Sequence, residues 1–180
     1  MSSTELFMHY VCTPAEAGDL IDLHDKFWVC NCGCRENAGE CKQSRKDVCL
    51  MFSTETGSSG SDMKEITKAE VEEILREASD KKLVARPFRN NDFTDTDGIC
   101  FCCQDCCGYF TENNEHCNKG KFIEQTDMES CIHCGLCVEV CYFGARTLEN
   151  GKLVVNRDKC YGCGLCEAVC PVSCIAMEQR

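Results

Sequence analysis

The chain has 180 residues, 30 acidic against 19 basic side chains for a formal net charge of −11, and 21 cysteines. That length fits one medium domain or two small ones, and the acidic balance argues against nucleic acid, which is bound through basic patches that neutralise phosphate. No stretch approaches the roughly 18 apolar residues of a membrane span, and the start, MSSTELFMHYVCTPAEAGDL, has neither the basic n-region nor the apolar h-region of a secretory signal.

The cysteine content is far above ordinary usage. Disulfides would need an oxidising compartment, and an odd count leaves at least one thiol over. In a cytoplasmic chain, the expected location here, tightly spaced cysteines more often hold metal. Of the net charge, −9 falls in residues 1–125. Such a surface suits docking to a basic partner; it also serves solubility alone.

In chain order, Thr13-Pro14-Ala15-Glu16 has the form of a capping box with proline at the first helical position. Leu20, Ile21, Leu23 and Phe27 then predict an apolar helix side running up to Trp28. Cysteines follow at 30, 32, 34, 41 and 49, and GSSGSD at 57–62 reads as a flexible loop. A second capping box, Thr67-Lys68-Ala69-Glu70, precedes Val71, Ile74, Leu75 and Ala78, one apolar stripe at helical spacing. Acids lead this helix and Lys81 and Lys82 close it, in the order the helix dipole favours. Pro87 is expected to mark the exit. A polar loop, RNNDFTDTDG, leads to CFCCQDCC at 100–107, and NKGKFIEQTD at 118–127 reads as a linker.

Beyond the linker the chain repeats itself. Residues 131–141 read CIHCGLCVEVC and residues 160–171 read CYGCGLCEAVCP, both C-x2-C-x2-C-x3-C. Loops of this spacing wrap a cluster face and aim backbone N–H groups at its sulfur atoms. Zinc is the alternative, but its sites need four ligands and commonly use two separated C-x2-C pairs. Asn150-Gly151 between ARTLE and KLVVN predicts a tight hairpin, and Ile175, Ala176 and Met177 a closing strand.

Residues 126–180 resemble a bacterial-type ferredoxin module with two [4Fe–4S] clusters. The resemblance implies a small α+β fold with pseudo-two-fold symmetry. It also implies crossed ligation, one cluster on Cys131, Cys134, Cys137 and Cys170, the other on Cys160, Cys163, Cys166 and Cys141. The fourth cysteine of each motif is expected in the first turn of a short helix. Tyr142 stands where the family has proline after the fourth cysteine, whereas Pro171 keeps it, and His133 stands where glycine is frequent. That histidine reads either as a solvent-exposed residue without a role or as one that tunes the cluster. Cys174 reads as a buried thiol.

The preceding region is similar to a cysteine-rich domain found before ferredoxin modules. The likeness lies in Cys32-x-Cys34-Arg35, Gly39-x-Cys41, Cys49-Leu50, the capped helix and the knot at 100–107, which carries one extra residue. It spans about residues 30–110. Two domains follow from the two resemblances, a cysteine-rich one at 1–120 with few helices and the two-cluster α+β module at 126–180. Cys32, Cys34, Cys41, Cys49, Cys100, Cys102, Cys103, Cys106 and Cys107 are expected to converge on one inorganic site, a further iron–sulfur cluster or zinc. Adjacent ligands such as Cys102 and Cys103 diverge and can reach different irons. Arg35 would either offset cluster charge or make a surface ion pair. Cys12, Cys30 and Cys117 are expected to stay thiols, the last two lying near enough to serve as ligands.

The function expected is electron transfer. The ferredoxin half would pass single electrons between a redox partner protein and the N-terminal site, with the chain acting as a subunit or partner of a larger oxidoreductase. The alternatives are a redox enzyme whose N-terminal centre has an open iron or a reactive Cys102–Cys103 pair, and a metal-stabilised sensor. No dinucleotide-binding glycine loop or P-loop is present, and His9, His24, His116 and His133 form no evident catalytic pairing. Three cubanes would bring about 12 iron atoms. Exposed clusters and thiols oxidise readily, so an anaerobe's cytoplasm is expected.

Overall fold

The computed structural model describes residues 5–55, 60–111 and 116–180, which form a mixed α/β fold. The elements run β1 (His9–Tyr10), α1 (Pro14–Asp22), β2 (Phe27–Cys30), α2 (Gly33–Ala38), β3 (Cys49–Met51), β4 (Lys64–Ile66), α3 (Lys68–Asp80), β5 (Val84–Arg89), β6 (Thr96–Cys102) and α4 (Gly108–Thr111). They continue with β7 (Cys117–Asn118), β8 (Phe122–Thr126), α5 (Leu136–Glu139), β9 (Arg146–Glu149), β10 (Lys152–Val155), a 3-10 turn at Arg157–Lys159, α6 (Leu165–Ala168) and β11 (Ile175–Gln179). Of the expected loop at 57–62, residues 57–59 lie outside the described residues.

Both capping boxes form. Thr67 Oγ1 accepts from the Glu70 amide while Glu70 accepts from the Thr67 amide, and Thr13 and Glu16 do the same. From α3, Val71, Ile74 and Ala78 are buried and pack with Ile21, Phe27, Leu50 and Ile99 in the main core, each fully buried aliphatic side chain contributing about 1.5–3 kcal/mol. The first helix is shorter than expected: it stops at Asp22, Leu23 is 77% exposed, and Phe27 and Trp28 belong to β2. Strand pairing with β3 and β4 satisfies the backbone there, while Phe27 and Val29 point into the core.

Seven strands form one sheet in the order β4-β2-β3-β6-β5-β1-β7. Its registers bring distant cysteines together: Cys30 pairs with Cys49, and Arg86 pairs with Cys100. Pro87 is no exit but sits inside β5 opposite Ile99. Ala85 O accepts from Cys12 N and Arg89 N donates to Met8 O, so alternate residues of β5 face the short strand β1. The N–H that proline lacks would face that edge, and the ladder to β6 is kept.

The expected linker is also structured. Cys117 and Asn118 pair with β1, and Phe122–Thr126 pairs along its whole length with β11. The hairpin forms as expected, β9 on β10, with Asn150 and Gly151 both at positive φ. The two halves share a second core in which Val11 and Val84 meet Val140 and Leu165. Gly120 lies in this seam, its amide donating to Tyr161 O, and an added Cβ would stand 2.6 Å from Val11 O.

Candidate metal centres

In the C-terminal half, Cys131, Cys134, Cys137 and Cys170 line one cavity, and Cys141, Cys160, Cys163 and Cys166 line another. Each set draws three cysteines from one motif and the fourth from the other. The third cysteine of each motif, Cys137 or Cys166, lies in the short helix α5 or α6, whereas Cys141 and Cys170 follow the helix end. The last helical turn closes on Cys141 N and Cys170 N, which donate to Val138 O and Glu167 O. Burial pushes the Cys163 thiol up to about 12 and Cys166 up to about 11. Anionic sulfur is stable there only beside strong positive charge, which is what an iron–sulfur core supplies, so this donor set fits the group.

The motif loops need left-handed backbone. Gly162 has φ +81, and a Cβ on it would lie 2.1 Å from Phe122 O. His133 occupies the corresponding place in the first motif with φ +53. Its Nδ1 accepts a hydrogen bond from Leu153 N at 3.1 Å, and its amide donates to Cys131 Sγ at 3.4 Å. The histidine is therefore not an idle surface residue; it pins β10 to the motif loop. Arg146, 2% exposed, is ion-paired to buried Glu124, donates to Thr126 Oγ1, and points Nη1 at Cys137 Sγ from 3.4 Å. Cys174 is buried, lines the first cavity and lies 3.5 Å from Cys170 Sγ.

The nine N-terminal cysteines do not share one environment. Cys32, Cys34, Cys49, Cys100, Cys102 and Cys107 form a continuous sulfur array, with Cys30 hydrogen-bonded to the Cys49 carbonyl. Hydrogen bonding polarises the array. Donation from Cys107 pulls the Cys34 and Cys102 thiols down, and donation from Cys49 does the same to Cys100, aided by His9 at 3.9 Å. Their donors Cys107 and Cys49 are pushed up correspondingly. Arg86, 1% exposed, lies 3.2 Å from Cys107 Sγ and 3.6 Å from Cys102 Sγ. Burial opposes its charge, but the sulfurs of Cys102 and Cys107 more than offset this and raise its pKa.

Cys41, Cys103 and Cys106 form a separate trio, with Cys41–Cys103 at 3.6 Å and Cys103–Cys106 at 3.5 Å. Cys102 and Cys103 thus diverge into different groups. Arg35 makes no surface ion pair. It is 1% exposed, donates to Arg45 O and Phe101 O, and reaches Cys103 Sγ at 4.0 Å.

A run of aromatic contacts leads from the array to the second C-terminal cavity. Arg86 lies over the Tyr109 ring at 4.5 Å, Tyr109 meets Phe143 at 6.0 Å and Tyr161 at 6.1 Å, and Phe143 stacks on Tyr161 at 4.4 Å. Phe143 and Tyr161 themselves line that cavity. Sequence reading missed Arg86, His9 and the Arg146–Glu124 pair. The only available signal for Arg86 was a cation set in the apolar run VARPF.

A family model described as a 4Fe-4S dicluster domain matches residues 122–177. No curated protein matches the chain. The chain therefore carries a ferredoxin-type 4Fe-4S dicluster domain in its C-terminal third, which supports an iron–sulfur electron-transfer role. No helix among the described residues is long and apolar enough to cross a membrane.

Proposed function

We propose that this protein is a single-electron carrier of the cytoplasm, working with a redox partner protein, with its C-terminal module (residues 126–180) relaying electrons to a further centre in residues 1–120. The observation that carries this reading is the pair of cavities, each lined by four cysteines in crossed order. Cys131, Cys134, Cys137 and Cys170 are the ligands of one [4Fe–4S] cluster, and Cys160, Cys163, Cys166 and Cys141 of the other. When bound, such clusters take up and release one electron each, at potentials set by hydrogen bonds to sulfur and by solvent exposure. Arg146 beside Cys137 and the His133 amide beside Cys131 are the donors this chain offers to the first cluster.

Cys32, Cys34, Cys49, Cys100, Cys102 and Cys107 hold the further centre, a third iron–sulfur cluster, with Arg86 balancing its thiolate charge. Tyr109, Phe143 and Tyr161 join that centre to the second cavity through van der Waals contact, which supports relay within the chain rather than two independent sites. The acidic surface favours a partner that is basic where it docks.

The test is iron, acid-labile sulfide and electron paramagnetic resonance analysis of the full chain purified without oxygen. About 12 iron atoms with matching sulfide are expected, four per cubane. Iron near eight would confine clusters to the C-terminal half and sink the relay. A colourless, sulfide-free protein would sink the whole reading.

A further inference from the structure

Cys41, Cys103 and Cys106 stand outside the array around Arg86. Their three sulfurs lie within 4.8 Å of one another, the only such trio of ligating side chains among the described residues. Two separate loops build it. Cys103 and Cys106 bracket the turn after β6, and Cys41 is held over that turn because Lys42 N donates to Asp105 Oδ2 at 2.8 Å.

Spacing discriminates between the groups that thiolates can bind. A single tetrahedral ion with Zn–S bonds of about 2.3 Å sets any two ligand sulfurs about 3.8 Å apart, by geometry. In a cubane each thiolate stands outside a different iron, so ligand sulfurs are held much farther apart. The trio's 3.5 and 3.6 Å separations match the single ion. Close sulfur pairs also occur in the array and beside the first C-terminal cavity, where Cys174 stands 3.5 Å from Cys170, but among the described residues no other three sulfurs converge within 4.8 Å of one another. All-thiolate donors select a soft, thiophilic cation. Three thiolates around a divalent ion leave one surplus negative charge, and Arg35, fully buried, reaches Cys103 Sγ at 4.0 Å.

We propose that Cys41, Cys103 and Cys106 form a second N-terminal metal site, distinct from the cluster centres, that binds one zinc-class divalent cation. Its fourth position opens on the side of half-exposed Cys41 and takes a small external ligand, a water or a thiol. This goes beyond the electron-transfer reading and does not depend on it.

The test is zinc and iron analysis of the full chain expressed with both metals, wild type beside Cys41→Ser and Cys106→Ala. One zinc per chain is expected in the wild type and none in either variant, with iron and sulfide unchanged. Cobalt(II) supplied in place of zinc should give the visible bands of a tetrahedral thiolate site in the wild type and lose them in Cys41→Ser. Cys41 is half-exposed, so this variant keeps the test valid should Cys106→Ala fail to fold. Loss of iron and sulfide in Cys41→Ser, or a wild type that takes up neither zinc nor cobalt, overturns the proposal. Failure of the cluster reading would appear separately, as absent iron and sulfide in the wild type.

Discussion

In residues 122–177 the eight motif cysteines line two cavities and touch no other motif sulfur, Cys174 alone adding a sulfur contact to Cys170; in residues 5–111 the sulfurs form a chain and a trio of hydrogen bonds and lie against two buried guanidinium groups. The first arrangement is built by short loops, each supplying three ligands at fixed intervals of three residues. The second is anchored on a sheet, with Cys49 on β3, Cys100 and Cys102 on β6, and Arg86 on β5, while Cys32 and Cys34 come from the start of α2 and Cys107 and the trio from loops. A loop-built site keeps its geometry through local backbone dihedrals such as those of Gly135 and Gly164. A sheet-built site keeps its geometry only while the whole register holds, so its charge balance is tied to the core.

The sharpest way to break the comparison is to remove the buried cation on each side. Arg146→Ala leaves buried Glu124 with only the Thr126 hydroxyl and the more distant Arg157 Nε at 3.9 Å, and anaerobic denaturant unfolding should report a loss of about 3 kcal/mol, the low end for a broken buried pair. Arg86→Met keeps much of the volume but takes the positive charge from Cys102 and Cys107. Metal analysis should then show depleted N-terminal iron with the C-terminal complement retained. Equal depletion of both halves would mean that the halves are one unit and not two.

The seam between the halves comes next. Tyr109→Leu removes ring contacts to Phe110, Phe143 and Tyr161 and the cation–π contact to Arg86. A destabilisation of about 1–2 kcal/mol is expected. Stopped-flow reduction should show slower electron arrival at the N-terminal centre while reduction of the C-terminal clusters stays fast. Smaller effects sharpen the picture of the N-terminal half alone. Thr67→Ala removes a cap and should cost about 1 kcal/mol, read as a lower denaturation midpoint.

Smallest is Glu77, which ties α3 to the loop after Cys41 through Ser44 and Arg45. Burial alone would raise its carboxyl, but Ser44 and Arg45 together hold it below the usual carboxylate range. A depressed native pKa contributes stability above the unfolded-state value, lost as pH falls through the folded one. Glu77→Gln should therefore cost about 0.5 kcal/mol at neutral pH, given the half-exposed partner. The difference from wild type should shrink as pH falls below the ordinary glutamate pKa and vanish only below the depressed folded-state one, measured by unfolding across acid pH.

Wherever the determinants were local, the chain was readable by itself. The duplicated C-x2-C-x2-C-x3-C motifs, the Asn150-Gly151 hairpin and the Thr13 and Thr67 capping boxes each depend on residues within a few positions of one another, and hydrogen bonding or ligand reach at that range follows from spacing. Pro87, Phe27 and the stretch 118–127 were misread because pairing with partners far along the chain overrode their local signals. The sorting of nine cysteines into an array and a trio, the burial of Arg35 and Arg86, and the ring bridge from Tyr109 to Tyr161 were decided by the tertiary structure alone. Strand register and inter-half packing bring together groups tens of residues apart, and no short-range pattern encodes which sulfur will face which charge.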